Sequence, residues 1–236
     1  MKENITMIYF DLDHTLWDFE SNSEEALKLV YKHYNDILKN IPLEDFIYSY
    51  HKINKQLWDI YRKKMITQEE LKVLRFEITL NSLNVKHREN LVEEMNDFYL
   101  NSLSNQSKLI DGAKEILDYL KSDYELGIIT NGFKDTQIAK MRNSGIDFYF
   151  NILVTSDETG FPKPDEKIFN YAVYKAARPK EEIVYVGDDL ENDILPALKF
   201  GINAIWFKNH DVINSNLIDE KDIVKINHLF ELKEIF

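Results

Sequence analysis

Apolar residues fall into two textures along this chain. Residues 5 to 10 end in Met7-Ile8-Tyr9-Phe10, a short unbroken apolar run with β-prone side chains, which predicts a buried strand. From Ser21 to about Asn105 the apolar positions instead recur every three or four residues, and the stretch reads as four helices. Leu27, Val30, Tyr31, Tyr34 and Leu38 mark the first, with Ser21 and Asn22 preceding Glu24 and Glu25 in capping-box spacing. Pro42 opens the second, which carries Phe46, Ile47, Tyr50, Ile53, Leu57, Trp58 and Tyr61. Thr67 and Glu70 repeat the capping box before Leu71, Leu74 and Ile78, and a fourth helix carries Leu91, Met95, Phe98 and Tyr99.

After Asp111-Gly112 the texture changes. A helix through Ile116, Leu117 and Leu120 leads to strand candidates at Glu125–Ile129, Ile152–Val154, Ile183–Val186 and Ala204–Phe207. Helical stretches at Gln137–Ser144, Glu166–Ala177 and Asp193–Phe200 separate them. Strands alternating with helices imply βαβ units and a parallel sheet. Asp222–Ile226 is expected as an edge strand, followed by a short helix around Leu229–Ile235. One strand thus leaves the sheet, a helical block intervenes, and the sheet resumes. The expected class is α/β, a Rossmann-like doubly wound parallel sheet with a helical cap domain inserted after the first strand. Residues 1–18 and 108–236 form the expected α/β core and residues 19–107 the cap.

Composition narrows the chemistry. The 236 residues hold no cysteine, which excludes disulfides, thiolate metal sites and cysteine nucleophiles. A net charge of −12 argues against a sequence-independent grip on a nucleic-acid polymer. The N-terminal residues lack the pattern of a signal peptide and no apolar run approaches a membrane span, so a cytoplasmic protein without a membrane partner is expected. Oligomeric state is not encoded in any pattern found here.

Candidate chemistry begins at Asp11-Leu12-Asp13-His14-Thr15, directly after the first strand. Two carboxylates two residues apart share one side of an extended segment, at the strand end where open α/β sheets bind ligands. Crowded carboxylates repel unless a cation compensates, so the pair calls for a hard metal such as Mg²⁺. The plainer alternative is a solvated acidic turn. Three more signals follow predicted strands. Thr130-Asn131-Gly132 suits a phosphate held by side-chain and backbone donors, or is an ordinary turn. Lys163 lies between Pro162 and Pro164, with Asp165 as N-cap of the next helix, and presents an ammonium to negative charge. In Gly187-Asp188-Asp189-Leu190-Glu191-Asn192-Asp193, Asp188 is placed to complete a metal site begun by Asp11. Asp189 and Glu191 are expected to cap the next helix, with Asp193 in its first turn.

In this order the four motifs resemble those of the haloacid dehalogenase superfamily of phosphohydrolases, over essentially the whole chain. Thr130-Asn131-Gly132-Phe133, Gln137 and Gly145–Phe150 are similar to the bacterial pyrimidine 5′-nucleotidase group. The resemblance implies a Mg²⁺-dependent phosphomonoester hydrolase with a small phosphorylated substrate, most simply a nucleoside 5′-monophosphate. It implies Asp11 as nucleophile, giving an aspartyl-phosphate, and Asp13 as general acid/base. Mg²⁺ would be held by Asp11, the backbone carbonyl of Asp13 and Asp188. Thr130, with backbone donors near Asn131 and His14, would bind the phosphoryl group. Lys163 would offset charge at the nucleophile and phosphate, and Asp193 would orient Lys163 or a water on the metal. Sugar-phosphate phosphatases and phosphosugar mutases share these motifs, and a phosphoacceptor module without turnover is the reading of a different class. Dehalogenases of the same fold need neither Asp13 nor a metal. Trp17, Asp18 and Phe19 lie near the expected hinge, where they are placed to gate substrate. Trp58 and Tyr61 are expected in the core, and His33, His51, His87, His210 and His228 form no ligand-spaced cluster.

Overall fold

The computed structural model describes residues 4–208 and 223–236, which divide into an α/β unit (residues 4–19, 107–208 and 223–236) and a helical unit (residues 20–106). The strands of the α/β unit are β1 (Met7–Phe10), β2 (Glu125–Thr130), β3 (Ile152–Thr155), β4 (Ile183–Gly187), β5 (Asn203–Phe207) and β6 (Val224–Ile226). They form one parallel sheet in the order β3-β2-β1-β4-β5-β6. The order reverses at β1, which lies between β2 and β4. Such a point opens a crevice at the carboxyl ends of the strands.

The strands are apolar without alternation because helices cover both faces. Met7 and Tyr9 pack with Ile129, Phe169, Ala172, Tyr185 and Trp206 on one side, while Ile8, Phe10, Ile128, Val184 and Val186 are equally buried on the other. The Tyr9 hydroxyl donates to the Ala172 carbonyl at 2.8 Å, so its one polar atom is satisfied inside this core.

The helical unit contains α1 (Phe19–His33), α2 (Asn35–Leu38), α3 (Leu43–Arg62), α4 (Gln68–Ser82) and α5 (Leu91–Ser104). The remaining helices belong to the α/β unit: α6 (Ala113–Leu120), α7 (Lys134–Asn143), α8 (Ser156–Thr159), α9 (Glu166–Ala176), α10 (Leu195–Phe200) and α11 (Leu232–Ile235). In the helical unit Leu27, Phe46, Tyr50, Phe76, Leu80, Met95 and Tyr99 are buried. Arg75 is buried too; its guanidinium donates through Nε to Asn96 Oδ1 at 3.0 Å and lies over the Tyr99 ring. No helix among the described residues is long and apolar enough to cross a membrane.

Several expectations need correction. Helix α1 starts at Phe19, so Ser21 and Asn22 sit inside its first turns rather than capping it. Buried packing decides this start, since Asn22 and Ser23 are both buried and the Ser23 hydroxyl meets that of Tyr99 at 2.8 Å. Tyr61 is buried, but Trp58 is only half-buried and meets Tyr61 edge-on. The helix α8 was not anticipated, being a single turn capped by Thr155. His210 and Asp222 lie outside the described residues.

The second capping box forms as its sequence dictates: Glu70 N–H donates to Thr67 Oγ1 and Thr67 N–H to Glu70 Oε2. Replacing Thr67 by Ala removes one of these bonds and is expected to cost about 1 kcal/mol. A thermal melt should show a Tm lower by roughly 2–4 °C.

Candidate active site

Three adjacent strands end together. Phe10 pairs with Ile128 of β2 and Val186 of β4, and the Asp11 N–H donates to the Val186 carbonyl at 2.9 Å. Asp11, Thr130 and Asp188 therefore leave neighbouring strands on one edge of the sheet. Lys163 reaches the same edge from the loop before α9.

Lys163 is the hub. Its Nζ lies 2.7 Å from Asp193 Oδ1 and 2.9 Å from Asp11 Oδ1. It also donates to the Tyr185 hydroxyl at 2.8 Å and approaches the Ile129 carbonyl at 3.3 Å. An ammonium has three protons, and here it has four oxygen neighbours. Asp11 Oδ1 is accordingly held by charge without an aligned hydrogen bond, although it is buried. Burial pulls the Lys163 ammonium toward neutrality, but Asp11 and Asp193 outweigh it and hold its pKa above the ordinary value. The backbone of Lys163 is pinned as well: its N–H donates to Asn131 Oδ1 at 2.7 Å, and Asn131 Nδ2 donates to its carbonyl at 3.0 Å. The Asn131 side chain is thus spent joining two loops, which leaves only its backbone to serve as an anion donor.

Asp193 is buried at the end of this chain of contacts, in one wide helical turn over Leu190–Ile194. Tyr185 donates to its Oδ1 at 3.1 Å and the Asp189 N–H to its Oδ2 at 3.2 Å. Gly187 makes room for it, since a Cβ there would stand 2.5 Å from Asp193 Oδ2. Asp189 caps the turn by accepting from the N–H groups of Glu191 and Asn192.

One oxygen each of Asp11, Asp188 and Asp193 lie within 4.8 Å of one another. Burial first, then the Asp193 charge, raises Asp188 to about 8, although the Thr15 hydroxyl donates to it at 3.0 Å. Burial also raises Asp11 well above the carboxylate range, Lys163 opposing and Asp193 and Asp188 adding to the shift. Carboxylate oxygens so crowded fit a hard divalent cation. Asp193 has hydrogen-bond partners on both oxygens, so Asp11, whose Oδ1 is held by charge without an aligned hydrogen bond, and Asp188 are the side chains suited to hold one.

Asp13 faces a different environment. Lys140 Nζ donates to its Oδ1 at 2.7 Å and Gln137 Nε2 to its Oδ2 at 2.9 Å. The same Gln137 nitrogen donates to Thr130 Oγ1 at 2.8 Å, and the Gly132 N–H donates there at 3.0 Å. Thr130 Oγ1 accepts twice, so its own proton is directed to another acceptor. Gly132 is needed for this arrangement, because a Cβ would stand 2.3 Å from Gln137 Nε2. Lys140 carried no role in the sequence reading and Gln137 served only as a mark of likeness. Their i,i+3 spacing after Thr130-Asn131-Gly132 was the available signal.

Two further expectations change. The His14 N–H donates to the Trp17 carbonyl at 2.9 Å, closing a tight loop in which His14 has φ 66°. That N–H is therefore not directed at a phosphate. Trp17 is fully buried, with Nε1 donating to Ser144 Oγ at 3.0 Å, so it is a fixed post and no gate.

The raised pKa of Asp188 carries a sign. Ionising this carboxyl costs folding free energy over the interval from the unfolded carboxylate value up to about 8. Metal-free protein should therefore lose stability as pH rises through that interval. Asp188→Asn removes the charge and keeps an acceptor for Thr15. In EDTA its Tm is expected above wild type by about 2–4 °C at pH 8, with the gap closing toward pH 4; a gap independent of pH would contradict this.

Comparisons place the chain. The family model described as haloacid dehalogenase-like hydrolase matches residues 8–207. Pyrimidine 5′-nucleotidase YjjG of Escherichia coli (strain K12) is 33% identical, over 86% of this chain and 86% of its own. Pyrimidine 5′-nucleotidase PynA of Streptococcus pneumoniae is 30% identical, over 88% and 85% respectively. The crystal structure of the HAD-hydrolase YfnB from Bacillus subtilis, bound to magnesium and described as revealing interdomain movement, superposes with a TM-score of 0.85 at 28% identity, covering 99% of both chains. With the motif residues gathered at one edge of the sheet, the chain belongs to the haloacid dehalogenase-like hydrolase family.

Proposed function

We propose that this hydrolase is a Mg²⁺-dependent phosphomonoesterase that works through an aspartyl-phosphate and acts on nucleoside 5′-monophosphates. The observation that carries the reading is the contrast between Asp11 and Asp13. Two carboxylates two residues apart occupy separate environments, one beside Lys163 and the acidic cluster, the other between Lys140 and Gln137. Paired carboxyls in contrasting surroundings suit a division into nucleophile and acid/base. The nucleotide preference is supported by the likeness to YjjG and PynA, and the cation by the magnesium bound to YfnB.

In this reading an Asp11 oxygen attacks phosphorus while the P–O bond to the leaving group breaks, and protonated Asp13 gives its proton to the departing alkoxide. Asp13, now a carboxylate, takes a proton from water as the water oxygen attacks the phosphorus. Inorganic phosphate leaves and the Asp11 carboxylate returns. Thr130 donates its hydroxyl to a phosphoryl oxygen, with the Asn131 backbone beside it. Lys163 offsets charge on Asp11 and the phosphoryl group, and Asp193 holds Lys163 in place. Mg²⁺, held by Asp11, Asp188 and the Asp13 carbonyl, would neutralise phosphoryl charge and orient the group for in-line transfer. The helical unit acts as the cap that selects the substrate, and the cytoplasm is the expected compartment.

Two measurements test this. Asp11→Asn should keep the wild-type circular dichroism spectrum and lose turnover by at least about 10⁴-fold. Wild-type-like activity in that variant would remove Asp11 as nucleophile. A phosphate-release panel should show turnover with Mg²⁺, loss of it in EDTA, and preference for pyrimidine 5′-monophosphates over purine and sugar phosphates. Equal rates throughout would remove the nucleotidase reading and keep the phosphatase one. An isomerised product without free phosphate would indicate a mutase, and stable phosphorylation without turnover a phosphoacceptor module.

A further inference from the structure

Lys140 is a buried ammonium that the reaction outlined above does not use. Its residue is 3% exposed, and Nζ lies 2.7 Å from Asp13 Oδ1, 4.4 Å from the centre of the Trp17 ring and 5.4 Å from that of Phe19. A lysine on a helix seldom gives up water unless a fixed anion replaces it. The aromatic faces compensate only part of that loss. On the opposite side of the same carboxyl, Gln137 is fully buried and its Nε2 bridges Asp13 Oδ2 and Thr130 Oγ1. The amide presents its nitrogen to Asp13, and both protons of that nitrogen are in use. One turn of α7 therefore fixes the plane of the Asp13 carboxyl, through two bonds on different oxygens, and its distance from Thr130.

We propose that Lys140 and Gln137 are positioning residues that aim Asp13 at the leaving-group oxygen while Thr130 anchors the phosphoryl group. This rests on the phosphatase reading and extends it. Each carboxyl oxygen has two lone pairs, and the clamp engages one on each. The outward pair is left to carry the proton, so donation to the leaving alkoxide breaks neither clamp bond. Trp17 gives the clamp a rigid wall, because it is fully buried and anchored to Ser144 at 3.0 Å. A carboxyl released from the clamp keeps its chemistry and loses its aim.

The distinguishing readout is dependence on the leaving group. p-Nitrophenolate departs without a proton, whereas the alkoxide of a nucleoside monophosphate needs one. For both esters kcat/KM reports the first transfer, before water attacks. With Mg²⁺ present, Lys140→Met should lower kcat/KM by about 100-fold on uridine 5′-monophosphate, the range of a general acid contribution, and by less than about tenfold on p-nitrophenyl phosphate. The loss on the nucleotide should lie in kcat, with KM near wild type. Lys140→Arg, which keeps a cationic donor, should recover most of it. Lys140→Gln serves as second variant if the methionine form fails to fold by circular dichroism. Equal losses on the two esters, no loss on the nucleotide, or no recovery with arginine would overturn the positioning role. Wild-type protein inactive on both esters with Mg²⁺ would overturn the phosphatase reading itself.

Discussion

Negative charge gathered at the ends of two neighbouring parallel strands has to be compensated, and one ammonium stands at its centre inside the α/β unit. Loss of water first, and then the repulsion among Asp11, Asp188 and Asp193, push Asp11 and Asp188 toward protonation. Lys163 stands among them, and its position follows from contacts on every side: Asn131 grips its backbone, Tyr185 and Asp193 grip its head. A free lysine would swing to solvent. This one is 3% exposed, so its charge acts at short range and with little screening.

The contrast with Asp13 follows from backbone geometry. Asp11 still belongs to the sheet, bonded to Val186. Three residues later the chain turns through His14 in a left-handed conformation, and Leu16 and Trp17 both donate back to the Leu12 carbonyl. Asp13 is thereby carried toward α7 and its donors, away from Lys163. A spacing of two residues, which on a straight strand would give two similar carboxyls, here gives two with different partners.

Much of the sheet was legible because a buried parallel strand leaves an apolar run with acids or turn residues behind it, as at Phe10-Asp11, Thr130-Asn131 and Gly187-Asp188. The acids were legible for the same reason, since polar residues at the end of an apolar run have few structural duties, whereas Lys163 stood out only by the two prolines that flank it. Lys140 and Gln137 were not, because a polar residue on a helix reads as solvated and only the fold reveals that this stretch of α7 faces Asp13. The start of α1 was misplaced for a related reason: Ser21 and Asn22 look like caps, yet tertiary packing buries Asn22 and Ser23. The Asn131 side chain proved to be a joint between loops, which leaves the backbone there as the expected anion donor. Local sequence records chemistry at the ends of strands well, and side-chain traffic between loops poorly.

The segments that enter and leave the helical insertion deserve a last consequence. Asp18 N–H donates to the Lys108 carbonyl at 3.1 Å and Ile110 N–H to the Leu16 carbonyl at 2.9 Å, while Trp17 and Leu109 pair antiparallel. The two ends of the insertion are thus stitched together within the α/β unit, as the base of a hairpin is. Once such a base is closed, the entropy of the intervening loop grows only slowly with its length. Whatever lies between residues 19 and 107 can be lengthened, shortened or exchanged with little effect on the register of the strands that carry Asp11 and Asp188. The sheet that carries Asp11 and Asp188 and the helical block between residues 19 and 107 can therefore diverge at separate rates, the first held by its strand register and the second free to change behind a two-stranded seam.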